Sequence, residues 1–246
     1  MLSYFQFSRR SPGRNMFLIL WWDLSMFTCM VLMKIFYRIS VTGRRNIPTT
    51  GPVLFISTHQ TFLDPSINSI CTRYRPFRPI ARFSLFRFKP FAWLISSYGA
   101  ISIQQGSGQS APLRIALEQL ERGQCVLIYA EGTRTRDGSV QPLQKGAALI
   151  IKRSKVPIVP IAIEGAYDIW PPSRKLPRLS GRINVMVGEP IMPERIEHLR
   201  GEEVLRELHQ TLESLRVRSL RTIQQRTNGR WPRRFAPEQA TPGADG

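Results

Sequence analysis

The chain has 246 residues, 42% of them hydrophobic, with 35 Lys+Arg against 17 Asp+Glu and a formal net charge of +18. Such a length suits one domain with appendages or at most two small domains, and the apolar content supplies a sizeable core. The charge demands an anionic partner, whether nucleic acid, an anionic membrane or a phosphate-bearing substrate.

The basic residues are spread through the sequence and several stand beside large apolar side chains, as in RYRPFRPIARFSLFRFKPF (Arg73–Phe91). That mixture favours a lipid headgroup surface, and no nucleic-acid partner is expected. Cys29, Cys71 and Cys125 form no CxxC and no ligand-like pairing with histidine, which argues for a reducing compartment and against metal chemistry.

Arg9, Arg10 and Arg14 precede an apolar run, Met16–Met33, whose only charge is Asp23. Each Leu, Ile, Val or Phe there favours insertion by roughly 0.3 to 0.6 kcal/mol, while the aspartate opposes it by about 2.5 to 3.5, so the sum is near zero. Asp23 and Lys34 fall on nearly one helical face, with Trp21 and Trp22 nearby. The pattern favours a helix in or dipping into the membrane interface rather than one that spans it. Residues 1–37 are therefore expected to be a membrane-associating segment on the cytoplasmic face, whose removal leaves a folded domain.

Beyond it, strands are predicted at Arg38–Gly43, Val53–Ile56, Arg78–Phe83, Ala100–Gln104, Cys125–Tyr129, Pro157–Ile163 and Arg182–Val187. Helices are predicted at Ser66–Arg73, Ala111–Arg122 with Gly123 as its cap, Gly146–Lys152 and Glu202–Gln225. Ser84–Tyr98 is apolar and aromatic, Gln105–Ser110 reads as a mobile loop, and His198 and His209 read as surface residues. The globular domain runs over 38–225, and 226–246 has the composition of a disordered tail. Alternating strands and helices give an α/β class, a mixed sheet flanked by helices with an N-terminal membrane-associated helical segment.

Two polar turns follow apolar strands directly. In PVLFISTHQTFLDP (Pro52–Pro65), His59 precedes Asp64 by five positions, and Pro65 follows. A residue before proline is pushed out of the helical region and proline suits a first helical position, so Asp64 is expected to cap a helix beginning at Pro65. The turn can then aim imidazole and carboxylate at each other. In YAEGTRT (Tyr129–Thr135), Gly132 permits close backbone approach, Thr133 and the amides can donate to an anion, and Arg134 offers a fork that fits phosphate. Glu131 either holds that arginine or receives a substrate hydroxyl. In α/β sheets, sites form where strands end, so the two turns are expected on one edge.

His59-(four residues)-Asp64, the Glu131–Arg134 block about seventy residues later and Val156–Ile163 (VPIVPIAI) together resemble the glycerolipid acyltransferase family, closest to bacterial 1-acylglycerol-3-phosphate (lysophosphatidic acid) acyltransferases. The likeness covers about Val41 to Pro190 and rests on these blocks, with a further one at Arg82–Phe86, in the right order. It implies transfer of an acyl group from acyl-CoA or acyl carrier protein to a lysophospholipid hydroxyl, with no cofactor beyond that co-substrate. His59 would be the general base, Asp64 its orienting partner, and Glu131, Gly132, Thr133 and Arg134 the acceptor-phosphate site. Arg82, before Phe83-Ser84-Leu85-Phe86, stands where the family often has a lysine. One departure is Gln104-Gln105, where the family usually places an arginine, and it leaves the acceptor headgroup open.

Two other functions compete: an acyl-thioester hydrolase and a non-enzymatic basic membrane or nucleic-acid binder. The first would be expected to carry a Gly-x-Ser-x-Gly elbow or similar covalent site, and none is present. The second would make the paired blocks a coincidence. Acceptor-dependent release of the donor thiol separates all three.

Overall fold

The computed structural model describes residues 15–72, 75–103 and 110–233. Seven strands form one sheet: β1 (Ser40–Thr42), β2 (Leu54–Ser57), β3 (Phe77–Arg82), β4 (Ile101–Ile103), β5 (Cys125–Ile128), β6 (Ile158–Glu164) and β7 (Asn184–Val187). Their order is β1-β7-β6-β2-β5-β3-β4. All neighbouring pairs are parallel except β6 and β7, so the sheet is mixed, as expected. The helices are α1 (Met16–Tyr37), α2 (Asp64–Cys71), α3 (Lys89–Ser97), α4 (Ser110–Glu121), α5 (Lys145–Ser154), α6 (Ala166–Ile169), α7 (Pro193–Ile196) and α8 (Gly201–Thr227).

Continuous apolar strands are the signature of a sheet covered on both faces. Along β2 the side chains alternate between two cores. Phe55, with Val53 just before the strand, joins Leu127, Val159 and Ile161 under α1 and α2. Leu54 and Ile56 join Val126, Ile128 and Ile158 under α4, α5 and the first half of α8. The far end of α8 returns to the first core through Ile223.

Two expected boundaries move. Helix α1 is long and apolar enough to cross a membrane by length and composition. Yet it is no detachable segment, because Trp22, Met26 and Met33 are buried in the same core as the central strands. Its opposite side carries Leu20, Leu24, Phe27, Val31 and Ile35 outward. At the other end, the chain stays packed past residue 226: Trp231 is buried and its indole N–H donates to the Arg182 carbonyl at 2.8 Å. Residues 234–246, the rest of the expected tail, lie outside the described residues, as does most of the expected mobile loop at 105–110.

Candidate active site

Strands β2 and β5 are parallel neighbours with Ile56 opposite Ile128. His59 and Glu131 each stand three residues beyond that pair, so the register itself brings the two turns together. The junction is direct. The His59 backbone N–H donates to Glu131 Oε1 at 2.8 Å, and the Thr135 N–H donates to the His59 carbonyl at 2.7 Å.

His59 Nδ1 lies 2.8 Å from Asp64 Oδ2. The imidazole is 20% exposed and the carboxylate is fully buried. Asp64 also accepts the Gln60 and Thr61 backbone N–H groups, at 2.5 and 2.8 Å, and the Thr61 hydroxyl at 3.2 Å. A carboxylate can only accept, so Nδ1 carries the hydrogen and the lone pair of a neutral ring sits on Nε2. The imidazole stacks on Tyr129, with centroids 4.0 Å apart and planes 16° apart. Burial, then the charge of Asp64, pushes the Tyr129 hydroxyl well above its ordinary range, so this ring serves as a neutral platform. Asn68 fixes it by donating to the Tyr129 hydroxyl at 3.2 Å.

Asp64 departs from its expected local role. It is the first residue of α2 rather than the residue before it, with Pro65 in the first turn. Its side chain turns back over the loop, which is why it can reach His59 and two backbone amides at once.

Glu131 also departs from expectation. Its second oxygen accepts the Gln141 N–H at 2.8 Å, so both oxygens serve backbone amides and the residue is 2% exposed. It braces the His59 turn and does not present itself to an anion. Burial pushes its carboxyl up to about 7, against the pull of those two N–H donors. Gly132 and Thr133 are exposed at the rim. Gly132 adopts φ +71, and a Cβ there would meet Gln144 Cγ at 3.1 Å, so the turn requires glycine. Arg134 lays its guanidinium over the Phe62 ring at 3.6 Å, which holds it across the His59 turn. Arg82 closes β3 on the same edge of the sheet; its side chain, like Gln104 and Gln105, lies outside the described residues.

Sequence reading missed four contributors. Gln60, next to His59, donates to the Gly138 carbonyl at 3.1 Å and accepts from the Tyr167 N–H at 3.1 Å. Thr135 is buried and its hydroxyl accepts the Gly138 N–H at 3.0 Å. Tyr129 and Phe62 supply the two aromatic platforms. Tyr129 and Phe62 stood inside the quoted blocks, where an aromatic beside each polar residue was the available signal.

A family model described as Acyltransferase matches residues 38–164, just over half of the chain. The chain belongs to the acyltransferase family. Among its relatives, the chloroplastic 1-acyl-sn-glycerol-3-phosphate acyltransferase BAT2 of Brassica napus is 28% identical over 170 residues, 68% of this chain and 49% of the relative. The 1-acyl-sn-glycerol-3-phosphate acyltransferase of Bacillus subtilis (strain 168) is 24% identical over 182 residues, 74% of this chain and 88% of the relative. The chain spans about half the length of the chloroplastic relatives it matches. The crystal structure of the 1-acyl-sn-glycerophosphate (LPA) acyltransferase PlsC from Thermotoga maritima shares the fold. The TM-score is 0.70 at 22% identity, over 92% of this chain and 88% of that one.

Proposed function

We propose that this acyltransferase moves an acyl group from acyl-CoA or acyl carrier protein to the free hydroxyl of lysophosphatidic acid, yielding phosphatidic acid in phospholipid biosynthesis. The observation that carries the reading is the 2.8 Å contact between His59 Nδ1 and a fully buried Asp64, in the same turn as Phe62, on which Arg134 is laid. Several relatives bear the name 1-acyl-sn-glycerol-3-phosphate acyltransferase. His59 Nε2 takes the proton of the acceptor hydroxyl as its oxygen attacks the thioester carbonyl. Asp64 stabilises the imidazolium that forms. When the tetrahedral intermediate collapses, the C–S bond breaks and the imidazolium returns its proton to the departing thiolate. Arg134 meets the acceptor phosphate, whose planar pairing with a guanidinium fixes the hydroxyl near Nε2.

The outer side of α1 and the surplus of 35 Lys+Arg over 17 Asp+Glu support attachment to an anionic membrane, on its cytoplasmic face. Because the inner side of α1 is committed to the core, the helix lies along the domain with its outer face in the interface.

The test is thiol release by the purified chain, with and without lysophosphatidic acid. Transfer requires release to depend on the acceptor and phosphatidic acid to appear in equal amount. Release without acceptor would make the protein a hydrolase and overturn the reading.

A further inference from the structure

The segment between β6 and β7 leaves the sheet beside β2, on the edge that carries His59. It is a braced loop. The Trp170 indole donates to the Arg174 carbonyl at 3.0 Å, the Arg178 N–H to the Ile169 carbonyl at 2.9 Å, and Arg178 Nε to the Asp168 carbonyl at 3.1 Å. At its root Gly165 takes φ +87, and a Cβ there would fall 2.1 Å from the Arg182 carbonyl oxygen, so the two ends of the loop touch. Near its end the Gly181 N–H donates to the Phe36 carbonyl at 3.2 Å, which ties the loop to the last turn of α1.

Such bracing would let a loop fold its apolar side chains inward. Here Leu176 is 73% and Leu179 79% exposed. Around them stand Arg174, Lys175, Arg178 and Arg182, and Asp168 is the only acid from Gly165 to Arg182. Outward leucines on a cationic rim match an anionic bilayer, where the leucines enter the apolar boundary and the cations meet phosphates. A nucleic acid would use the cations and leave the leucines in water. The loop also reaches the site: Trp170 packs on Phe62 with centroids 5.3 Å apart, and Arg134 lies over that same ring.

We propose that the loop between Pro171 and Arg182 is a second membrane-contacting element, which sets the His59 edge of the sheet against an anionic lipid surface so that a lysolipid reaches the base from the bilayer. The proposal rests on the membrane attachment and acceptor class argued above. Its test is the full chain against Leu176→Ser/Leu179→Ser, in sedimentation with phosphatidylglycerol-containing vesicles and in transfer assays. Both proteins are expected to unfold at the same temperature, because the exposed leucines support no core. The variant should partition at least tenfold less to the vesicles and lose rate in proportion on vesicle-embedded lysophosphatidate. Its rate on a short-chain, water-soluble lysophosphatidate should match wild type. If wild type binds the vesicles and the variant equals it in partition and vesicle rate, the loop proposal is wrong while α1 attachment stands. Failure of wild type itself to bind would remove the attachment reading and the loop proposal with it. A variant that loses rate only through a raised KM for a donor on acyl carrier protein would assign the loop to an acidic protein partner and overturn the proposal.

Discussion

At the residue scale, Asp64 does more than contact His59. Two of its contacts hold the backbone of the turn in place, through the Gln60 and Thr61 N–H groups, and a third holds the Thr61 hydroxyl. Asp64→Asn turns one acceptor oxygen into an N–H donor facing another donor, so it should lower both the transfer rate and the thermal midpoint. His59→Ala should reduce transfer by about 10²–10⁴ with the midpoint kept, since general-base assistance is worth that much and the ring is part-exposed. Retention of more than about a tenth of the wild-type rate in His59→Ala would remove His59 as the base. Phe62 and Arg134 should behave as a pair. Arg134→Ala should raise KM for lysophosphatidic acid by one to two orders of magnitude, the scale of about 1.5–3 kcal/mol for a charged hydrogen bond. Phe62→Leu should raise it less, and Phe62→Tyr should restore it, because a phenol ring still offers the guanidinium a face. Glu131 predicts a pH dependence of stability. Its carboxyl goes from an ordinary 4.5 to about 7 on folding, so the folded chain holds that proton more tightly. The stabilisation is complete below about 4.5 and is lost as pH rises through about 7, a change of roughly 3 kcal/mol. Urea midpoints at pH 5 and pH 8 measure it, and Glu131→Gln should flatten the difference.

At the element scale, α8 is fastened to β6 by a buried charge cluster. Arg216 Nη1 meets Glu164 Oε2 at 2.9 Å, and its Nε and Nη2 grip the Glu213 carboxylate at 2.8 and 2.6 Å. Arg216→Leu would remove the Arg216 guanidinium from beside the fully buried Glu164, and should cost about 3–5 kcal/mol in chemical denaturation. Adding Glu164→Leu should recover much of that loss, which separates the broken charge pair from simple loss of packing. Elements of this kind were legible to different degrees. Strands β2, β5 and β6 were readable because a strand buried on both faces is an unbroken apolar run. Helix α1 was readable as a helix, but not as core: Trp22 and Met26 face inward while Leu24 and Phe27 face outward, and apolar sequence on both sides does not say which side packs. The His59–Asp64 pair was legible from local spacing. The partners of Glu131 were not, because they are backbone amides of two loops, and the one at His59 is brought in by the register of β2 and β5. The loop after β6 offered no motif, and although Trp170 and Arg178 brace it, every acceptor is a backbone carbonyl that leaves no trace in sequence.

At the scale of the whole molecule, the proposed attachment has a surplus of positive charge and one outward apolar helix face acting together on a membrane. Binding to anionic vesicles should survive high salt in large part, because ions screen the basic surface but leave α1 and its apolar contact intact. Sedimentation across a salt series checks this, and full release by salt alone would show that α1 makes no apolar contact. Deleting residues 1–37 should do more than free the protein from lipid. It strips Trp22, Met26 and Met33 from the central core, so the truncated chain should lose cooperative thermal unfolding. The sheet order also has a consequence for synthesis. Strand β2 leaves the ribosome early, but its neighbours β5 and β6 follow only after about 70 and 100 residues, a wait of roughly 4–14 s for the first and 5–20 s for the second at cellular elongation rates. Until β5 arrives the nascent chain carries an apolar strand with two unpaired edges, and α1, already made, offers Trp22, Met26 and Met33 to cover its face.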